Sequence, residues 1–240
     1  MKIIFVRHCE PDYEHDSLTP KGLREAVCLN GRIKKLENVK YWYVSPLGRA
    51  RLTAKIALEG TDIVPEVLDW TREFEGRMPD PITGKIRHAW DLYPGIWTRY
   101  PEMYDKDNWQ YAPLYQGTNV AEENEKIITG LEGLLAANGY VRNGNYYDIV
   151  DSKDYTIVVF CHMAVSLLMV GHLIGASAPV MWHGNFCPPS GLIEIETEER
   201  VDRKAFFRVR AMGDVSHLYM AGEPVSESGF KHEKDWLNLD

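Results

Sequence analysis

Two short apolar runs, residues 3–6 (Ile-Ile-Phe-Val) and 157–161 (Ile-Val-Val-Phe-Cys), constrain this chain more than any other feature, because a histidine stands at or just beyond the end of each. Runs without polar alternation suit strands buried on both faces, as in a parallel sheet held between helices. Arg7 and His8 follow the first run and His162 follows the second. Polar groups at the carboxyl ends of such strands stand where α/β proteins bind their ligands.

Between these runs strand and helix alternate. Thr19-Pro20 is a hydroxyl cap followed by proline at the first helical position, so a helix is expected over residues 21–36, with Leu23, Val27 and Ile33 on its buried face. A strand at 41–44 ends in Ser45-Pro46, which repeats the signal before a helix through residue 58, and a short strand follows near 63–67. Residues 119–135 read as helix, and Asn143-Gly144 marks a turn or hairpin. After the strand at 156–161 come an apolar helix over 164–174 and two strands, 192–196 and 205–211, read as a hairpin that closes the sheet. The pattern predicts an α/β fold: a mostly parallel central sheet flanked by helices on both faces, a three-layer sandwich.

The length, 240 residues, suits a single domain over 1–240. Within it, residues 76–117 lose regularity and are crowded with aromatics, among them Trp90, Tyr93, Trp97, Trp109 and Tyr115. A structureless loop of that length is uncommon, so an inserted lid or cap with some helix is expected, and the same aromatics would serve as a satellite core.

With 35 acidic and 27 basic side chains the net charge is −8, which leaves no basic footprint for nucleic acid or an anionic membrane. No apolar run approaches the roughly 20 residues that span a bilayer, and the opening run is too short for a signal peptide, so a cytoplasmic protein is expected. The four cysteines, Cys9, Cys28, Cys161 and Cys187, are too sparse for a disulfide scaffold and read as free thiols. None has an arginine six positions later, as a cysteine phosphatase requires, and a phosphate-binding Gly-rich loop of the nucleotide-hydrolysing type is absent. His183 and Cys187 stand four apart without the paired spacing of a zinc site, so neither metal nor cofactor is expected. The oligomeric state is left open.

Three strand ends bring Arg7 and His8, Ser45 with Arg49, and His162 to one side of the sheet. Arg49 falls in the first turn of its helix, where free N–H groups favour an anion. Two guanidiniums, two imidazoles and a helix N-terminus describe a pocket for a phosphate group. An imidazole with a pKa of roughly 6.5 is largely neutral near pH 7 and competent as a nucleophile, and either histidine fits that part.

The strings Arg7-His8-Cys9-Glu10, Leu18-Thr19-Pro20-Lys21-Gly22, Ser45-Pro46-Leu47-Gly48-Arg49-Ala50 and Cys161-His162, in this order and at strand ends, resemble the histidine phosphatase superfamily, also called the phosphoglycerate mutase-like family. The resemblance runs over residues 1–60 and 155–220. It implies that His8 becomes a phosphohistidine while Arg7, Arg49 and His162 hold the phosphate oxygens. It also implies that Glu73, in Thr71-Arg72-Glu73-Phe74, protonates the leaving oxygen and then activates water, with Glu75 as the fallback. Cys9 and Met163 stand where the family usually has glycine, and the segment 213–218 resembles its final, structural stretch. Cys9 and Cys161, beside the two histidines, read as small buried fillers more simply than as redox-sensitive thiols.

The implied activity is that of a metal-independent phosphomonoesterase acting on a small phosphorylated metabolite. A mutase would use the same chemistry but needs a cationic site for a substrate carboxylate, with Arg72, Arg77, Lys85, Arg87 and Arg99 as candidates. A non-catalytic phosphate-ligand or partner-binding protein is the third reading, motivated by Cys9 and Met163.

Overall fold

In the computed structural model, which describes residues 1–230, β1 (Lys2–Arg7) leads into the short ladder of β2 (Pro11–Asp12) and β3 (Ser17–Leu18). α1 (Pro20–Ile33) starts where the Thr19 hydroxyl accepts the Gly22 N–H, as the cap-plus-proline signal predicts. β4 (Val39–Val44), α2 (Gly48–Ala57) and β5 (Glu66–Val67) follow, β5 covering only the end of the expected strand. The next segment holds a separate ribbon of β6 (Arg77–Pro79) and β7 (Ile86–His88), a single helical turn α3 (Pro94–Trp97) and several 3₁₀ turns. Then come α4 (Val120–Ala137), β8 (Tyr140–Asn143), β9 (Tyr146–Ile149), β10 (Thr156–Cys161), α5 (Met163–Ile174) and α6 (Ala178–Gly184). β11 (Leu192–Val201), β12 (Lys204–Asp214) and α7 (Ser216–Ala221) complete the described elements.

Eight of these strands form one sheet in the order β5-β4-β10-β1-β11-β12-β9-β8. β5, β4, β10 and β1 run parallel, and every pairing from β1–β11 outward is antiparallel. The connections decide this division. Strands joined through helices can return parallel, whereas β8–β9 and β11–β12 are joined by tight turns and can only run antiparallel. The expected parallel sheet is the half that carries the histidines.

Alternation along the strands explains the uninterrupted apolar runs. Ile3 and Phe5 of β1, with Ile157, Val159 and Cys161 of β10, enter one core with α4, α5 and α6. Ile4 and Val6, with Val158 and Phe160, enter a second core with α1 and α2. Both faces are covered, so polar residues in these strands stand only at their ends, at Lys2, Arg7 and Thr156. Trp97, Met103, Trp109 and Tyr115 from the irregular segment join the first core rather than forming a satellite of their own.

α1 buries Ile33 as expected but not Leu23 or Val27. Gly22, Glu25, Ala26, Leu29 and Ile33 face inward, while Leu23 and Val27 are 41% and 63% exposed. Gly22 sets this rotation: a Cβ there would stand 2.2 Å from the Glu10 carbonyl oxygen, so only glycine lets the helix approach the backbone after β1.

Glu25 is fully buried on that face, and one of its carboxyl oxygens accepts the Glu10 N–H at 2.7 Å. Burial pushes its pKa up to about 7. The folded state therefore holds this proton more tightly than the unfolded chain, and stability from Glu25 falls as pH rises from about 4.5 to 7. His8 and His162, whose folded pKa values lie below those of the unfolded chain, contribute the opposite slope below about pH 6.5. Glu25→Gln keeps an acceptor for the Glu10 N–H and isolates the first effect. Denaturant melts should show the variant gaining up to about 3 kcal/mol over the parent above pH 7, and little near pH 5; a pH-independent difference would remove the assignment.

Candidate active site

β1 and β10 are neighbours in parallel register with Arg7 opposite Cys161, so His8 and His162 leave the same edge of the sheet together. Their ring centroids are 5.1 Å apart. The His8 Nδ1 lies 2.7 Å from the Cys9 carbonyl, an acceptor, so Nδ1 bears the proton and Nε2 keeps its lone pair. Burial first, and Arg7 and Arg49 after it, hold the His8 imidazole well below its ordinary pKa. The ring is neutral at physiological pH. His162 is shifted the same way, by burial and then by His8, Arg49 and Arg7. Its Nε2 lies 2.7 Å from the Ser45 Oγ at the end of β4.

The two guanidiniums are held by the chain itself. Arg7 is buried, with Nη1 donating to the Cys187 carbonyl at 2.7 Å and Nη2 to the Ser228 carbonyl at 3.0 Å. No local pattern in the sequence signals that residues 226–229 lie against it. Ser226 ties that segment to Glu10 through a 2.6 Å hydrogen bond, and Gly229, at φ +93°, passes so close that a Cβ would stand 3.0 Å from the Arg7 Nη2. Arg49 Nη1 donates to Asp16 Oδ1 at 2.7 Å, and the Gly48 N–H donates to the same carboxylate at 2.6 Å. The start of α2 does hold an anion, and that anion is Asp16, which sequence reasoning missed. Burial opposes its charge, but the Gly48 N–H and Arg49 more than compensate and lower its pKa. Asp16 sits at φ +44°, a left-handed conformation kept by these bonds.

Glu73 follows a 3₁₀ turn (Asp69–Thr71) and sits on the N-terminus of α5, directly after His162. Its carboxylate accepts the N–H groups of Val165 at 2.9 Å, Phe74 at 2.9 Å and Ala164 at 3.3 Å. Burial raises its pKa, and the three N–H donors hold back part of that rise. Glu75 is exposed and pairs with Arg72 at 3.7 Å, so the fold brings Glu73 and not Glu75 to the histidines.

The two residues that replace glycine have different fates. Cys9 turns into the core under α1 and α2, and burial pushes its thiol pKa well up, as it does for Cys161. These are packed thiols, in keeping with the filler reading. Met163 stays at the site, its Sδ 3.6 Å from Arg7 Nη1. Behind His8, the Ser190 N–H donates to the His8 carbonyl at 3.1 Å, and the Ser190 Oγ lies 3.0 Å from His217 Nε2. The segment 213–218 thus braces the histidine from behind, the structural part expected of it.

The chain matches the family model of the histidine phosphatase superfamily (branch 1) over residues 3–206, and belongs to that superfamily. Solved structures of phosphatases share its fold. A mutant phosphoserine phosphatase from Entamoeba histolytica, in complex with phosphoserine, is 19% identical with a TM-score of 0.60, covering 90% of this chain and 98% of the other. The α-ribazole phosphatase from Shigella flexneri is 19% identical with a TM-score of 0.55, covering 89% and 96%. A mycobacterial glucosyl-3-phosphoglycerate phosphatase in complex with VO3 is 14% identical with a TM-score of 0.57, covering 88% and 98%. No curated protein sequence matches the chain.

Proposed function

We propose that the protein is a metal-independent phosphomonoesterase working through a phosphohistidine on His8, with Arg7, Arg49 and His162 holding the phosphoryl oxygens. One observation carries this reading. Arg7 Nε, Arg49 Nε and His162 Nδ1 are buried without a hydrogen-bond partner among the described residues. Each unmet buried polar group costs on the order of 1–3 kcal/mol, and three of them beside one nucleophilic nitrogen suit a tetrahedral oxyanion. Other buried groups, Arg32 Nε and Arg87 Nε among them, are also unmet; what sets these three apart is that Arg7, Arg49 and the His162 ring act directly on His8.

In this reading His8 Nε2 attacks phosphorus in line, and the N–P bond forms as the ester P–O bond breaks. Glu73 gives its proton to the departing oxygen. The Glu73 carboxylate then takes a proton from water, whose oxygen attacks phosphorus and releases inorganic phosphate and neutral His8. A phosphoryl oxygen takes the place of the Ser228 carbonyl on Arg7. Residues 76–117 belong to the same domain in this reading and cover the leaving-group side.

The charge balance favours hydrolysis over the mutase reading. Arg72 is paired with Asp69 and Glu75, Arg87 with Asp80 and Asp91, and Arg77, Lys85 and Arg99 are exposed. No helix of the described residues is long and apolar enough to cross a membrane. Free, buried cysteines suit the reducing cytoplasm proposed for the protein. Phosphate release from a panel of small phosphate esters, with a chelator present, tests the reading. Saturable vanadate binding without turnover on any ester would favour the non-catalytic alternative instead.

A further inference from the structure

A cavity of about 640 Å³ opens beside Arg7, walled by Trp90, Tyr93, Trp97, Trp182 and Phe186. It shares walls with the phosphoryl site. Met163, Phe186 and Gly229 line it, and each lies against Arg7, with the Phe186 ring centroid 5.8 Å from the guanidinium carbon. On the side of the proton donor, Phe74 packs on Trp182 at 5.0 Å between centroids, and the Trp182 indole N–H donates to the Ala164 carbonyl at 2.9 Å. The Ala164 N–H is itself bound to Glu73. In the phosphatase reading, an alcohol leaving phosphorus between Arg7 and Glu73 departs toward this cavity.

Its charge balance narrows what it can hold. Arg87 is the cation lining it among the described residues, and that guanidinium bonds Asp80, lies 3.4 Å from Asp91 and stacks over Tyr93 at 4.4 Å. His183 donates from Nδ1 to the Pro179 carbonyl and accepts the Leu92 N–H at Nε2, which fixes it as a neutral ring. Among the described residues that line the cavity, a substrate carboxylate would find no cation without a carboxylate partner. A cationic head group would in turn find the lining carboxylate, Asp91, already matched by Arg87, with the Arg7 guanidinium at the shared wall. What remains is a neutral group with flat faces, which indole and phenol rings receive by offset or edge-on stacking. Trp97, stacked on His183 at 4.8 Å, adds an indole face to the same wall.

We infer that this cavity is the leaving-group subsite and takes a flat, uncharged ring, so that the substrates are phosphomonoesters of alcohols carrying an aromatic or heteroaromatic ring. The inference rests on the phosphatase reading, and its test separates the two.

The intact protein is assayed with 2-(1-naphthyl)ethyl phosphate, ethyl phosphate and 3-phosphoglycerate, whose leaving oxygens are all alkyl. The expected kcat/KM for the naphthyl ester exceeds that of each of the other two by at least about tenfold, through KM. Trp90→Leu should cut that preference several-fold. A preference near one, or a preference for the carboxylated ester, overturns the inference while leaving the phosphatase reading intact. Where no ester is hydrolysed, the phosphatase reading fails, and binding of the naphthyl and ethyl phosphonates followed by tryptophan fluorescence decides the subsite alone. Tighter naphthyl binding by about tenfold supports it, and equal binding overturns it.

Discussion

His8→Ala should lower kcat/KM for any ester the protein hydrolyses by about 10⁴-fold or more, with the melting transition intact. The expected size follows from the loss of the bond-forming atom itself, not of a group that supports it. His8 and His162 are equivalent by residue type and close in space, but their hydrogen bonds differ. His8 has its Nδ1 fixed by the Cys9 carbonyl, which leaves Nε2 unencumbered, whereas Nε2 of His162 is engaged by Ser45. Brief reaction with a radiolabelled ester and denaturing quench should trap an acid-labile phosphoenzyme in the parent and none in the variant. Retained turnover, or label mapped to His162, would reverse the assignment of the two rings.

What was legible in the sequence lies in short stretches, and what was not lies in contacts between distant ones. The apolar runs at β1 and β10 and the cap-plus-proline at Thr19-Pro20 are local signals, so the strands, the helix start and the convergence of Arg7, His8, Ser45, Arg49 and His162 at one edge could be read directly. The rotation of α1 could not, because it depends on the Gly22 backbone meeting the Glu10 carbonyl. Nor could Asp16 at the start of α2, since an exposed-looking loop residue reaches Arg49 only after the ladder of β2 and β3 has formed. The bond from Arg7 to Ser228 spans 221 positions, and no local pattern encodes it. On the outer half of the sheet the hairpin of β11 and β12 could be read, but not the β8–β9 edge beyond it, because Asn143-Gly144 signals a hairpin without saying which edge that hairpin joins.

Glu73→Gln should divide the substrates by leaving group. For alkyl phosphates, whose departing oxygen needs a proton, kcat/KM should fall by about 10²–10⁴-fold, the range expected for a lost general acid. For 4-nitrophenyl phosphate, whose phenolate leaves unaided, the drop in the phosphorylation step should be far smaller. The amide retains an oxygen to accept the Val165 and Phe74 N–H groups, so the start of α5 keeps most of its support. The pH profile carries the same signature. Burial moves the two groups in opposite directions, His8 down from about 6.5 and Glu73 up from about 4.5. Both shifts raise the fraction of molecules with a neutral imidazole and a protonated carboxyl at once, the pair the first step requires. In the parent, kcat/KM for an alkyl ester should decline as pH rises through the raised Glu73 pKa, and in the Gln variant that limb should vanish. Equal losses on both classes of ester, or an unchanged alkaline limb, would move the proton to another donor and leave Glu73 as a helix cap alone.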